Sequence, residues 1–292
     1  MKRNQKRVWK RRVKIGSFLL PSFLGVSVFY LVPFLVVIFY AMVDNPVSAN
    51  FVFLKNFIDI LGNKAFLLAA WNTFKFSVVA VPLAVVLSLL MALLLDKKIP
   101  FADKFRTAYL SPMMVPVASV ILVFQVLFNY NGFVNVFLSW FGIEQIDWFK
   151  SDFAPIVVLI LFLWKNLGYN MILFLAALGT IPRESMEVAL LDTNSVWKMF
   201  IHIKIRYLSP TILFVAIMSL ISSFKVFREV YLLTGDYPYD SLYTLQHFMN
   251  NMFRQLDYQK LSSAAILMAI VMIIIIGFLY LVEKHFGKDM EE

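Results

Sequence analysis

Six long runs of mostly apolar residues dominate the chain, and the charged residues lie mainly between them. The runs cover residues 15–43, 71–95, 107–129, 154–178, 209–233 and 261–282. A helix needs roughly 20 mostly apolar residues to cross the hydrocarbon core of a bilayer, so each run predicts one transmembrane helix. None of the runs alternates apolar and polar residues with a period of two, as a transmembrane strand does. The pattern therefore predicts an all-α integral membrane protein with six transmembrane helices.

Prolines mark the positions where these helices are expected to kink. The expected kink points within the runs are Pro33, Pro82, Pro112 and Pro116. Membrane helices tolerate proline because neighbouring groups can satisfy the freed backbone carbonyl. A further proline, Pro210, is expected to open the fifth helix, since proline suits the first turn of a helix.

The composition supports this class and excludes several kinds of chemistry. Of the 292 residues, 61% are hydrophobic and 15% are charged, which is more apolar surface than a soluble domain buries. The chain has no cysteine, which excludes disulfides, thiolate metal sites and a cysteine nucleophile. It also lacks a Gly-rich phosphate loop and a Gly-x-Ser-x-Gly motif, and its three histidines are far apart. We expect a chain that is not an enzyme and that has no catalytic residue, metal or cofactor.

Basic residues predict which side of the membrane each loop faces. Eight of the 27 Lys and Arg residues lie in the first 14 positions, before an apolar run too long for a signal peptide. Loops 96–106 and 179–208 carry four each, whereas loop 130–153 carries only Lys150. Lys and Arg favour the cytoplasmic side, so both termini are predicted to be cytoplasmic. The basic start suits an anionic lipid surface, and nucleic acid is not expected as a partner.

These features divide the chain into a basic stub at 1–14, a six-span domain at 15–285 and a tail at 286–292. Within the domain, the insert 180–208 has the pattern of two short helices along the membrane surface. Thr180 can cap the first helix, and the polar stretch 193–195 separates it from the second. From this pattern alone, the insert is either a solvated amphipathic loop or a contact surface for a cytoplasmic partner.

The insert resembles a motif in the permease subunits of ATP-binding-cassette importers that take up carbohydrates, the maltose/glycerol-phosphate/multiple-sugar permease family. The matching positions are Glu187, Ala189, Asp192, Trp197, Phe200, Ile203 and Pro210, preceded by the usual lead-in at 178–182. A second block at 227–235, followed by Pro238, resembles the sugar branch, and Asn72-Thr73 matches a third. The positions that depart from these motifs are Val188, Thr193, Arg206, Arg228 and Asp236-Tyr237.

The resemblance implies a type I importer permease fold in a bacterial or archaeal cell membrane. It implies a heterodimer with a second permease subunit, two cassette ATPase subunits and an extracytoplasmic sugar-binding protein. The insert then becomes the coupling-helix pair that docks on an ATPase. The expected coupling residues are Glu187, Ala189, Asp192, Thr193, Trp197 and Phe200.

Polar residues inside the fourth and fifth runs are the candidates for substrate contact, because such groups are costly within a membrane and usually functional. Asn166 and Asn170 are four residues apart and share a helix face. The resemblance also implies a sugar site on these two spans. The expected substrate-binding residues are Trp164, Asn166, Tyr169, Asn170, Ser219, Ser222, Ser223, Lys225 and Arg228.

Several alternatives stay open at this stage. Ser222 and Ser223 also suit helix contacts as small residues. Lys225 and Arg228 suit the membrane interface, a pair with Glu229, or an anionic substrate. A stand-alone secondary transporter or channel is the alternative to the importer, although the sequence shows no repeat halves with interrupted spans. A peptide or a polyol is the alternative cargo.

Overall fold

The computed structural model describes residues 16–96, 101–192 and 195–287, and the described chain is almost entirely helical. Its first helices are α1 (Gly16–Met42), α2 (Lys55–Leu61), α3 (Lys64–Asp96), α4 (Ala102–Met114), α5 (Val117–Leu127) and α6 (Phe133–Ser139). The later helices are α7 (Ala154–Leu178), α8 (Arg183–Asp192), α9 (Val196–Met199), α10 (Ile205–Phe224), α11 (Phe227–Thr234), α12 (Leu245–Arg254) and α13 (Tyr258–Gly287).

Among the described residues, five helices are long and apolar enough to cross a membrane, and a bent pair makes a sixth crossing if its two halves count as one. The all-α, multi-span prediction is therefore confirmed. The predicted stub at 1–14, the residues 97–100 and the tail from 288 lie outside the described residues.

The third predicted span is not the single helix that its apolar run indicated. It consists of α4 and α5, which meet at an angle of 99°. Val115 is extended and Pro116 caps α5, so the break lies at one of the predicted kink prolines. The residue before a proline disfavours helical backbone, which explains why the chain leaves the helix at Val115. Pro82 and Pro112, by contrast, lie inside continuous helices.

The fifth span also begins earlier than predicted. A helix that could span a membrane runs from Trp197 to Thr234, through a π-helical turn at Phe200–Lys204. Pro210 lies inside α10 and does not open it. A proline removes one backbone hydrogen bond, and in a long membrane helix neighbouring groups compensate for that loss. The second helix of the insert is thus continuous with the fifth span.

The contacts divide the described residues into two compact units. One contains residues 16–63 and 252–270. In this unit the amide of Asn56 donates to the carbonyls of Ala41 and Val43 at 3.0 and 2.8 Å, closing the loop that follows α1. The rings of Tyr40 and Tyr258 lie 5.8 Å apart.

The other unit, which contains residues 64–251 and those after 270, is built on α3, α7 and α10. Two apolar clusters form its core. The first includes Ala84 of α3, Leu161 of α7 and Val230 of α11, all buried. The second includes Ala92 of α3, Phe174 of α7 and Val215 of α10. Along α7 the polar residues Lys165, Asn166, Tyr169 and Asn170 lie between the two clusters, so the candidate site occupies a polar layer between two apolar ones.

Close packing of α7 against α4 depends on Gly168. A Cβ atom built on Gly168 would lie 1.7 Å from the backbone carbonyl oxygen of Tyr109. Backbone atoms cannot move aside as a side chain can, so glycine is required at this crossing.

Replacing Gly168 by alanine is therefore expected to destabilise the protein by about 1–3 kcal/mol, the typical cost of overpacking. Gly277→Ala is the matched control, because a Cβ there meets nothing within 4 Å. The unfolding midpoint of each variant in detergent, followed by circular dichroism, checks this expectation. Equal midpoints for the two variants would contradict it.

Candidate functional site

The polar layer contains an ion pair that joins α7 to α11. The ammonium of Lys165 donates to Oε1 of Glu229. The Glu229 side chain is 8% exposed and that of Lys165 is 38% exposed. Glu229 lies in the first turn of α11, where the positive end of the helix dipole favours a carboxylate. Charged side chains at this depth are expensive and are functional candidates by default.

A cavity of about 160 Å³ opens beside this ion pair. Its floor on the α10–α11 side is the short break at Lys225 and Val226, where the helix is interrupted between Phe224 and Phe227. The residues that line it are Phe162, Lys165, Asn166, Ser222, Lys225, Val226 and Glu229. Three of the predicted substrate residues, Asn166, Ser222 and Lys225, therefore share one cavity.

Three other predicted substrate residues form hydrogen bonds between helices. The amide of Asn170 donates to the hydroxyl of Ser219 at 3.0 Å, and both side chains are buried. The hydroxyls of Ser223 and Ser77 are 2.8 Å apart, which links α10 to α3. The structure thus brings these residues together as contacts between spans, and they do not line the cavity.

The remaining predicted substrate residues lie outside the cavity as well. Trp164 is 40% exposed, Tyr169 is half-buried and Arg228 is exposed. Glu229 pairs with Lys165, and no ion pair with Lys225 or Arg228 is found among the described residues. The partner of Glu229 is therefore Lys165 on another helix, and not Lys225 or Arg228.

Lys165 and Glu229 are the site residues that sequence reasoning missed. The signal was present, since Glu229 is the only acidic residue in the six apolar runs, whose basic residues are Lys75, Lys165, Lys225 and Arg228. A lone carboxylate in such a run needs a cationic partner, because an unpaired buried charge is far more costly than a paired one. Nothing in the sequence says which of these basic residues would reach it.

The Asn72-Thr73 pair anchors the loop that precedes α12. The amide of Asn72 donates to the carbonyls of Asp240 and Tyr243 at 2.6 and 3.1 Å. The hydroxyl of Thr73 accepts a hydrogen bond from the backbone N–H of Leu245 at 2.9 Å. Two adjacent side chains at the start of the second span therefore fix the position of a segment about 170 residues later in the chain.

His247 lies in the first turn of α12, next to this anchored loop. Its Nδ1 is 2.9 Å from the hydroxyl of Thr244, its ring lies 4.6 Å from that of Phe227, and its buried Nε2 has no hydrogen-bond partner among the described residues. Burial lowers the pKa of His247 to about 4, and the negative charge of Asp236 opposes this shift only in part. The segment therefore folds around a neutral imidazole.

The insert is held against the spans by two polar contacts. Ser185 of α8 and the hydroxyl of Tyr207 are 3.0 Å apart. The ammonium of Lys204 lies 3.6 Å from Oδ2 of Asp96, at the end of α3. These contacts connect α8 and the π-helical turn to the body of the helical bundle.

Two of the coupling candidates, Glu187 and Trp197, are exposed on this insert, whereas Phe200 is half-buried. Glu187 is exposed on α8 and lines a cleft of about 250 Å³ together with Asp96 and Lys204. Trp197 is 68% exposed, and its ring lies 5.7 Å from that of Phe200. Thr193 lies outside the described residues. Ala189 and Asp192 belong to α8, of which Asp192 is the last residue.

Comparison with known proteins identifies relatives along most of the chain. A family model described as binding-protein-dependent transport system inner membrane component matches residues 84–292. The lactose transport system permease protein of Rhizobium radiobacter is 30% identical over 90% of this chain and 91% of that protein. The trehalose/maltose transport system permease protein of Thermococcus litoralis is 27% identical over 96% of each chain. The sulfoquinovosyl glycerol transport system permease protein of Agrobacterium fabrum is 28% identical over 89% of each chain.

Solved structures share the fold. A chain of a bacterial ABC transporter involved in the import of the acidic polysaccharide alginate superposes with a TM-score of 0.80 at 20% identity, covering 96% of this chain and 99% of that chain. A chain of the alginate ABC transporter in complex with an alginate pentasaccharide-bound periplasmic protein gives 0.81 at 19% identity, covering 97% and 98%. This likeness confirms the predicted type I permease fold.

The ion pair is expected to behave as a coupled unit. Lys165→Met leaves the Glu229 carboxylate buried without its partner, and Glu229→Gln leaves the ammonium unpaired. Because Lys165 is partly exposed, we expect each single change to cost about 2 kcal/mol or less, below the value for a fully buried pair. The double variant is expected to be more stable than Lys165→Met alone. Unfolding midpoints of all four proteins in detergent measure the coupling, and strictly additive losses would contradict it.

His247 is expected to make the stability of the protein depend on pH. Its pKa is lower in the folded protein than the ordinary value of 6.5, so the unfolded chain binds the proton first. Stability should therefore fall as the pH is lowered from 6.5 to about 4, and this contribution should stay constant below that range. His247→Phe should flatten the dependence, whereas His202→Phe, at an exposed histidine, should retain it. Unfolding midpoints across this pH range provide the measurement, and equal slopes in the two variants would refute the assignment.

Proposed function

We propose that this chain is the permease subunit through which an ATP-driven importer passes a saccharide. The chain belongs to the family of binding-protein-dependent transport system inner membrane components. The relatives that support this cargo are named for lactose, trehalose/maltose and sulfoquinovosyl glycerol transport. The observation that carries the proposal is the cavity among α7, α10 and α11. It presents amide, hydroxyl and charged groups in the middle of the spans, where a polar cargo needs them.

Asn166 and Ser222 are the hydroxyl-binding groups in this proposal. The Asn166 amide donates to the carbonyl of Phe162 at 2.8 Å, which fixes the side chain and leaves its oxygen directed to other donors. Ser222 is half-buried at the opposite wall of the cavity. A sugar hydroxyl both donates and accepts hydrogen bonds, so an amide oxygen and a serine hydroxyl are complementary to it.

The insert would transmit the action of an ATPase. In this proposal it faces the cytoplasm, in keeping with the basic loops on its side of the chain. Glu187 supplies a charge-assisted contact to the ATPase, and the exposed Val188 and Trp197 supply apolar contact area. Because Lys204 and Tyr207 hold the insert to the spans, a push on α8 moves the spans with it.

The partners follow from this arrangement. A second permease subunit would complete the pathway as a heterodimer, and two cassette ATPases would dock on the two inserts. A binding protein would deliver the saccharide to the outer loops; the solved alginate ABC transporter is in complex with an alginate pentasaccharide-bound periplasmic protein. The anchored segment before α12 belongs to these outer loops, and its fixed position would give the binding protein a rigid surface.

Reversal of the charge at Glu187 tests the coupling. We expect Glu187→Arg to reduce copurification of the ATPase with the tagged chain and to lower transport-coupled ATP hydrolysis by roughly tenfold or more, the effect of losing a charge-assisted contact. The control is Glu144→Arg, the same reversal at an exposed residue of loop 130–153, for which retention of the ATPase is compared. Copurification followed by an ATPase assay provides the readout. If both variants retain the ATPase equally, or if no ATPase accompanies the wild-type chain, the proposal is wrong.

A further inference from the structure

The cavity lies at the middle of a span. α7 has 25 residues from Ala154 to Leu178, so Lys165 has eleven residues before it and thirteen after it. At a rise of ~1.5 Å per residue, Lys165 is about 16–20 Å from either end of the helix. The Lys165 side chain is too short to reach the aqueous interface from that depth. The charges that line the cavity therefore require a partner inside the protein or in its cargo.

The cavity has more positive than negative charge. Its lining contains the ammonium groups of Lys165 and Lys225 and the carboxylate of Glu229. Glu229 is bonded to Lys165. The side chain of Lys225 is exposed at the cavity and has no ion-pair or hydrogen-bond partner among residues 16–96, 101–192 and 195–287. Glu229 thus neutralises the Lys165 ammonium, and the Lys225 ammonium keeps its uncompensated charge.

We propose that this cavity binds an acidic group of the transported saccharide, such as a uronic carboxylate, and that Lys225 is the cation that contacts it. The inference rests on the proposed function and adds the chemical class of the cargo. A neutral sugar needs only the amide and hydroxyl groups of Asn166 and Ser222. A further ammonium within the membrane would then be destabilising, because no group of such a sugar compensates its charge. An anionic group repays that cost through a charge-assisted hydrogen bond.

Glu229 sets the charge of the empty site. By pairing with Lys165, it reduces the net charge of the lining from two positive charges to one. It also directs the Lys165 ammonium toward α11, so that Lys225, which lies in the break between α10 and α11, remains available. An anionic group of single charge therefore makes the occupied cavity neutral, and neutrality favours passage through the hydrocarbon region.

The volume of the cavity agrees with recognition of one acidic group and not of a whole oligosaccharide. The cavity has a volume of about 160 Å³. A cavity of that size accepts a carboxylate with the part of the ring that bears it. The rest of a longer saccharide would lie along the pathway outside it.

The test uses the complete importer in proteoliposomes, with its second permease, ATPases and binding protein. Two matched pairs of disaccharides serve as probes: digalacturonate against galactobiose, and cellobiouronic acid against cellobiose. Within each pair, the acidic disaccharide carries a carboxylate where the neutral disaccharide carries a hydroxymethyl group. ATPase stimulation and uptake are measured for the wild type and for Lys225→Gln, Lys225→Arg and Lys75→Gln. Lys75 is the control because it is an exposed lysine within another span and does not line this cavity.

We expect stimulation by an acidic probe in the wild type. Lys225→Gln should raise the concentration needed for half-maximal stimulation about tenfold, the scale of one hydrogen bond to a charged group. Lys225→Arg should restore it within a few-fold, and Lys75→Gln should match the wild type. The restoration by arginine separates anion binding from a merely structural role of the side chain.

Three results would overturn the inference. Stimulation by the neutral probes alone would do so and would leave the proposed saccharide importer intact. Equal loss for acidic and neutral probes in Lys225→Gln would assign the residue a structural role. Lack of response to all four probes would refute the acidic-disaccharide cargo, and copurification of the ATPase through Glu187 would then decide separately whether the importer proposal survives.

Discussion

A polar group in a hydrocarbon environment must find its partner within the protein, and this constraint organises the large helical unit. The hydrocarbon core of a bilayer offers no water, so each unpaired donor or charge that faces it costs several kcal/mol. The chain meets the constraint with pairs that cross between helices. They are Lys165 with Glu229, Asn170 with Ser219, and Ser77 with Ser223. Each pair fixes the rotation of two helices as well as satisfying its own atoms.

Packing above and below this polar layer depends on small residues. Ala80, Ala84 and Ala92 are fully buried along one face of α3, and Gly168 brings α7 within backbone contact of α4. Between spans in a membrane there is little hydrophobic driving force, so close van der Waals contact through small side chains supplies much of the association. The polar pairs then fix the register of the helices, because apolar surfaces alone would allow several registers.

The sequence was sufficient for the class of fold and insufficient for the geometry of the site. Apolar runs gave the positions of the first, fourth and sixth spans to within a few residues, because hydrocarbon thickness fixes helix length. They missed the 99° bend at Val115–Pro116 and the continuation of the fifth helix back to Trp197, since proline breaks one helix here and is accommodated in another. Polar residues in the fourth and fifth runs pointed to the right pair of helices. Which of them line a cavity and which bond to each other depends on helix rotation, and rotation is set by partners far away in the chain, as Lys165 and Glu229 are.

The uninterrupted helix from Trp197 to Phe224 has a mechanical consequence. At ~1.5 Å per residue it is a rod about 40 Å long, with the exposed surface of the insert at one end and Ser222 near the other. Such a rod resists twisting, because most of its turns are hydrogen-bonded to the next, so a rotation applied at Trp197 would be transmitted toward Ser222. The interruption at Lys225–Val226 ends the rod, and the ion pair to Lys165 and the hydrogen bonds from Gln125 to the carbonyls of Leu232 and Leu233 hold α11 beyond it. Rotation of the rod against the stationary α11 would change the width of the cavity at that joint.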